Sequence, residues 1–218
     1  SPVRLRLVQA EITGDTIYTL IAVPSARSPL ADSPLVLTSA SISDAAAGKT
    51  GLVRVTHAAF GAPAVDIRVN DGLATYSAVE FGQSTEWATL PATTYTVNIR
   101  PAGASVVNLP IYTGTFSVPA GKGLEVVAMG TPGVNFEVRA YTVDVGSAKG
   151  LARVYILHAA PDGGKIDLRL NGGVLGRNFA YGSITSLAIP PGLYNIVGTA
   201  AGKSAPVLLR AVQTQLEA

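Results

Sequence analysis

His57 and His158 are the two histidines of the chain, and each stands nine residues ahead of an aspartate, Asp66 in the first case and Asp167 in the second. An imidazole beside a carboxylate can serve as a general base with its orienting partner, or supply two ligands to a metal ion. A zinc site takes three or four protein ligands, and neither pair has a third at a familiar spacing. Cysteine is absent, which removes thiolate nucleophiles and soft metal ligands. The pairs are therefore expected to be structural: the imidazole bonds the turn after its strand, and the aspartate on the adjacent strand accepts its proton. No metal, cofactor or catalytic residue is expected, and the chain is read as something other than an enzyme. Gly121-Lys122-Gly123 and Gly163-Gly164-Lys165 share only composition with phosphate loops, because no helix follows either one. A Gly-x-Ser-x-Gly elbow is missing as well.

The elements that must position these residues repeat. Leu52-Val-Arg-Val-Thr-His57-Ala-Ala returns as Leu151-Ala-Arg-Val-Tyr-Ile-Leu-His158-Ala-Ala, a period of roughly a hundred residues that points to two domain equivalents. Within the central copy, period-2 alternation predicts strands near Leu52–His57, Val65–Asn70, Leu73–Val79, Ser84–Thr89, Thr94–Arg100, Ile111–Val118, Leu124–Met129 and Asn135–Val143. Asn70-Asp71-Gly72 and Asn171-Gly172-Gly173 are hairpin turns, since Asn and Gly tolerate positive φ. The inward set comprises Val53, Val55, Val65, Ile67, Val69, Trp87, Tyr95, Val97, Ile99, Phe116, Val126 and Val138. Helical periodicity is nowhere sustained. The fold expected is all-β, two tandem antiparallel sandwiches.

The two copies are out of phase. Residues 51–146 make a complete sandwich, whereas 150–218 stop before the last strands of theirs. Residues 1–48 carry what is missing: Pro2-Val-Arg-Leu-Arg-Leu-Val-Gln9 resembles Pro206-Val-Leu-Leu-Arg-Ala-Val-Gln213, and two further strand-like runs follow it. One sandwich is thus whole and the other is split between the chain ends. The donor side chains expected are Val3, Leu5, Leu7, Ile17, Leu20, Ile21, Leu35 and Leu37. The acceptor set is Val154, Ile156, Leu168, Leu170, Ile196, Val207, Leu209 and Val212. An unfinished sandwich exposes apolar surface and unpaired backbone, a template for strands from elsewhere. Those strands could come from a second copy of the chain or fold back from the same one. Folding back must cross the length of a sandwich, about 30–40 Å at about 3.3 Å per residue.

Certain residues are similar to a known family. His57-Ala-Ala-Phe-Gly-Ala-Pro-Ala-Val-Asp66-Ile-Arg-Val-Asn70, then Phe81-Gly82, then Leu90-Pro91-Ala-Thr-Thr-Tyr95, resembles the domain of unknown function 4397 (DUF4397) pattern. The second copy matches through His158-Ala-Ala-Pro161-Asp162, Ile166-Asp167-Leu-Arg-Leu-Asn171-Gly172, Tyr181-Gly182 and Gly192-Leu-Tyr194. Ala59-Phe60 departs from the family's usual Ser-Pro-like residues, which affects only a local turn. The resemblance implies secreted or cell-surface bacterial and archaeal proteins built from tandem immunoglobulin-like sandwiches, with no established catalytic activity.

Composition narrows the partners. The 218 residues are 48% hydrophobic and 14% charged, with a net charge of +2 and no Lys/Arg cluster, so nucleic acid is not an expected partner. No run is long enough for a membrane span. The expected function is a structural subunit of an extracellular filament or surface fibre, joined head to tail to copies of itself by strand complementation. It would lie outside the cell or on its surface after signal-peptide removal. The alternative is a surface adhesin or glycan-binding module, with Tyr18, Tyr76, Tyr112, Tyr141 and Tyr155 as candidate platform aromatics.

Overall fold

The alternation of apolar and polar residues becomes a succession of strands in a computed structural model, which describes residues 10–23, 35–41, 48–70, 74–105, 107, 109–203 and 207–210. The N-terminal stretch forms β1 (Ala10–Ile12), β2 (Thr16–Ala22) and β3 (Leu35–Ser41). The middle forms β4 (Thr50–Ala59), β5 (Val65–Val69), β6 (Ala74–Val79), β7 (Ala88–Pro91), β8 (Thr94–Pro101), β9 (Tyr112–Ser117), β10 (Gly123–Gly130) and β11 (Glu137–Val143). The C-terminal stretch forms β12 (Ala152–His158), β13 (Ile166–Leu170), β14 (Gly173–Phe179), β15 (Ile184–Ile189), β16 (Gly192–Tyr194), β17 (Ile196–Ala200) and β18 (Val207–Arg210). A 3-10 turn at Pro161–Gly163 is the one helical piece among the described residues.

Two units result, residues 43–146 and residues 1–42 joined with 147–218. In the first, the sheets run β11-β10-β4-β7 and β6-β5-β8-β9. Between them lie Val55, Val65, Ile67, Val97, Ile99 and Val126, flanked by Val53, Val69, Tyr95, Phe116 and Val138. Each buried apolar side chain of this kind contributes about 1.5–3 kcal/mol, which makes a disulfide-free sandwich feasible. Every member of the expected inward set is in that group except Trp87. Its ring lies instead against Arg54, whose guanidinium carbon is 4.5 Å from the ring centroid. Arg54 alternates with Val53 and Val55 along β4, so it points away from the core that those valines enter.

Pairing is antiparallel apart from one parallel pair in each unit. In the first unit it joins β10 to β4, with Gly123 opposite Leu52 and Ala128 opposite His57. The sandwiches are antiparallel as expected apart from this pair: β10 enters the sheet after a crossover from β9 in the opposing sheet, so it arrives beside β4 running the same way. The strand predicted at Ser84–Thr89 is displaced to β7, leaving only an isolated bridge between Ser84 and Thr56.

Candidate functional site: strands from both chain ends in one sandwich

The second unit repeats the first with its chain order rearranged. Its sheets run β15-β12-β2-β3 and β14-β13-β17-β18, so β2 and β3 hold the places that β10 and β11 hold in the first unit. β2 lies parallel to β12, from Ile17 opposite Arg153 to Ala22 opposite His158. β3 closes the edge antiparallel to β2. The N-terminal strands thus complete the C-terminal sandwich of their own chain. They form half of a sheet rather than an added edge.

Alternation along β2 decides which side chains enter. Tyr18, Leu20 and Ala22, with Ile12 from β1, join Val154, Ile156, Ile166, Leu168 and Ile196 in one buried cluster, and Leu170 packs against it. Of the expected donor side chains on β2, Leu20 enters this cluster, whereas Ile17 and Ile21 lie on the opposite face of β2, buried there. The sequence reading was one residue out of phase along part of β2, because Ile-Tyr-Thr-Leu-Ile offers apolar side chains to both faces. Tyr18 was missed as an inward residue. Leu35, Leu37, Val207 and Leu209 sit in β3 and β18, where only the backbone is described. Val3, Leu5, Leu7 and Val212 lie outside the described residues.

The turn that delivers β2 is fastened to the start of β12. Asp15, at φ 51°, donates its amide to the Leu151 carbonyl at 3.0 Å and accepts the Gly150 amide on its carboxylate at 3.1 Å. Thr13 donates its amide to the Tyr18 hydroxyl at 2.9 Å. At the far end, Ala159 donates to the Ala22 carbonyl at 2.8 Å. Gly14 permits the close approach, since a Cβ there would run into the Gly150 carbonyl oxygen and sit 3.2 Å from Pro191 Cγ. A Gly14→Val substitution is expected to weaken docking of the N-terminal strands by about 1–3 kcal/mol. Amide exchange would show faster opening in β2 and β12 with β4 and β10 unaffected.

The two His/Asp pairs divide into separate devices. His57 accepts the Ala59 amide at Nδ1, 3.3 Å, which leaves the proton on Nε2 to donate to the Pro63 carbonyl at 3.1 Å. His158 repeats this with the Ala160 amide at 3.3 Å and the Gly164 carbonyl at 2.7 Å. The imidazoles do bond the turns after their strands. The aspartates do not take their protons, contrary to expectation. Asp66 accepts the amides of Ala78 and Gly103, both at 2.9 Å, and Asp167 those of Asn178 and Gly202, also at 2.9 Å. Ala78 and Asn178 have positive φ and occupy bulged stretches of β6 and β14, where the register with β5 and β13 shifts. Each carboxylate therefore ties a bulge to a turn beyond the neighbouring strand. Among the described residues, no three His, Asp or Glu side chains gather as a metal ligand set would.

Acid acts on both devices in the same direction. Burial holds His57 and His158 below the ordinary 6.5, an effect that the Pro63 and Gly164 carbonyls oppose. As pH falls through that value the unfolded chain takes up protons that the folded chain refuses, so stability drops. Asp66 and Asp167 lie below the ordinary 3.8, because backbone amides of Ala78 and Gly103, and of Asn178 and Gly202, bond the ionised form. Their stabilisation is complete above that value and disappears as pH falls through their own lower values. Thermal melts across pH should fall in two steps. The His57→Gln, His158→Gln double variant should flatten the upper step only, and an unchanged curve would refute this assignment.

Two β-sandwich repeats, the second with its chain order rearranged, define a tandem all-β protein. Residues 51–169 match the family described as Domain of unknown function (DUF4397), and the chain belongs to that family. No match was found among the curated proteins.

Proposed function

We propose that the chain is the structural subunit of an extracellular filament or surface fibre, in which β2 and β3 of one copy complete the C-terminal sandwich of the next. The observation that carries this reading is the position of β2: a strand in the interior of a sheet, contributed by chain that precedes residues 43–146 in the sequence while its sheet partner β12 follows them. Nothing covalent other than that long connection ties donor to acceptor. The same backbone pairing and the same Leu20, Tyr18 and Ile156 contacts are satisfied whether the strands come from one chain or two, as in strand exchange between identical subunits. Exchange with a following copy is heterologous, and a heterologous contact that does not close makes a filament.

Buried apolar strands suit a load-bearing joint, because the joint breaks only by opening half a sheet. The glycan-binding alternative has less to stand on: Tyr18 and Tyr155 are buried, and Tyr76, Tyr112 and Tyr141 are half-buried. Electron microscopy and light scattering of the purified chain test the proposal. Long polymers are expected at high concentration, and deletion of residues 1–48 should reduce them to single chains. Polymers that survive the deletion would remove the donor role.

A further inference from the structure

Among the described residues, β9 lies at the edge of its sheet and pairs with β8 alone. That ladder runs unbroken from Ser117 opposite Thr94 to Tyr112 opposite Ile99. The strand reads Tyr-Thr-Gly-Thr-Phe-Ser, without charge or proline. A regular, uncharged edge is a template for another strand, and proteins blunt such edges with charge, proline, bulges or brevity. β6, β14 and β18 are broken by register shifts, β11 bears Glu137 and Arg139, and β7 is four residues long and ends at Pro91. β15 is as regular as β9, but Tyr181, Gly182 and Ser183, which lead into it, are at least partly covered. Leu109 and Ile111, which lead into β9, are 90% and 46% exposed.

Hydrogen bonds show which backbone groups of β9 are free for a partner. Asn70 donates its amide to the Thr96 carbonyl at 2.8 Å, and Val118 donates to the Thr93 carbonyl at 2.9 Å. Antiparallel bonding alternates along a strand, so Thr96 and Asn98 serve β5 while Tyr95 and Val97 serve β9. Opposite them, Gly114 and Phe116 turn their backbone groups toward β8, and Thr113, Thr115 and Ser117 turn theirs away from the sheet. The edge is also held in strand form. Tyr112 and Phe116 stack with ring centroids 6.3 Å apart, Thr113 donates its hydroxyl to Asn98 at 2.6 Å, and Ser117 bonds Thr94 at 2.9 Å. A partner strand therefore has little ordering to impose on it.

We propose that two copies of the chain pair through this edge, β9 against β9, antiparallel about a two-fold axis at Thr115. Outward groups can pair only with outward groups, and this register engages all of them: Thr115 faces its own counterpart, and Thr113 faces Ser117 of the second copy. A strand paired with itself sets any central charge against the same charge, which is unfavourable, whereas opposed Thr and Ser side chains favour pairing. Both conditions are met by β9, which makes a second copy the fitting occupant. The contact is isologous and closes on two chains. It uses neither β2 nor β3 and does not depend on the filament reading.

The chain has no cysteine, so single cysteines at these exposed positions report the register. Cα atoms of a hydrogen-bonded pair lie about 5.5 Å apart, within reach of a disulfide. Under mild oxidation, the full chain carrying Thr115→Cys is expected to form covalent dimers about tenfold faster than the chain carrying Thr113→Cys, whose counterpart lies about 13 Å away along the strand. An equimolar mixture of Thr113→Cys and Ser117→Cys chains should cross-link as readily as Thr115→Cys. Adding Thr115→Lys to both chains of that mixture should slow it about tenfold and leave Tm unchanged. Equal rates at Thr115 and Thr113, or a mixture indifferent to Thr115→Lys, would overturn the proposal. Absence of covalent dimers at every concentration would also overturn it and leave the edge to a strand of another protein. Polymers that form without these cross-links would remove the β9 contact and keep the β2 joint; cross-linked pairs that never polymerise would do the reverse.

Discussion

Leu20→Asp is expected to open the C-terminal sandwich while the sandwich of residues 43–146 stays folded. Leu20 is fully buried among Ile156, Leu168 and Ile196. Removing its side chain alone costs about 2–5 kcal/mol, and putting a carboxyl group there without partners adds further loss. A penalty of that size exceeds what a half-sheet held by backbone pairing can absorb. Melting should separate into two transitions, with only the lower one moved by the substitution. The core of Val55, Ile67, Val97 and Ile99 shares no residue with the altered cluster, so its transition should not shift by more than a degree or two. A single transition that drops as a whole would mean the two units do not unfold separately.

Glu125→Ala is expected to destabilise the other unit by about 3–5 kcal/mol, on the order of 15–20 °C in Tm for a domain of this size. Arg54 and Glu125 face each other across the parallel β4–β10 pair, with Arg54 Nε donating to Oε2 at 2.8 Å and Nη2 donating to the same oxygen. Thr56 donates to the other carboxylate oxygen at 2.7 Å. Only 2% of the Arg54 side chain and none of Glu125 is exposed. Removing the carboxylate keeps the guanidinium buried without its counter-charge, and its stack on Trp87 replaces little of that energy. The Arg54→Met, Glu125→Leu double variant removes both charges and should recover most of the loss, since apolar replacements of buried pairs are often neutral. Denaturant titrations of the single and double variants decide it. Equal destabilisation of the two would show that the pair adds net stability rather than merely needing both members.

Much of the first sandwich was legible because each face of its strands has one job. Val65, Ile67 and Val69 alternate with Asp66 and Arg68, and the core follows that alternation. β2 was harder to read, since Ile17, Tyr18, Leu20 and Ile21 are all buried and a strand apolar on both faces carries no phase. The Arg54–Glu125 pair is not legible in the sequence, because two residues 71 apart carry no sign of which strands will lie parallel. Asp66 lay beside His57 in spacing, yet its carboxylate serves two amides that the bulge at Ala78 and the turn at Gly103 aim at it. That choice depends on backbone geometry, which spacing does not encode. The split sandwich itself was legible, because a repeat out of phase predicts its own completion.

Trans complementation is tested most directly by the native mass of an equimolar mixture of two damaged chains, one carrying Leu20→Asp and the other Ile156→Asp. The first keeps a sound acceptor with a spoiled donor, and the second keeps a sound donor with a spoiled acceptor. Strand exchange predicts a complex of one of each, at twice the chain mass, that grows no further because its free donor and free acceptor are both defective. Two populations of single chains, with no complex at any concentration, would contradict it.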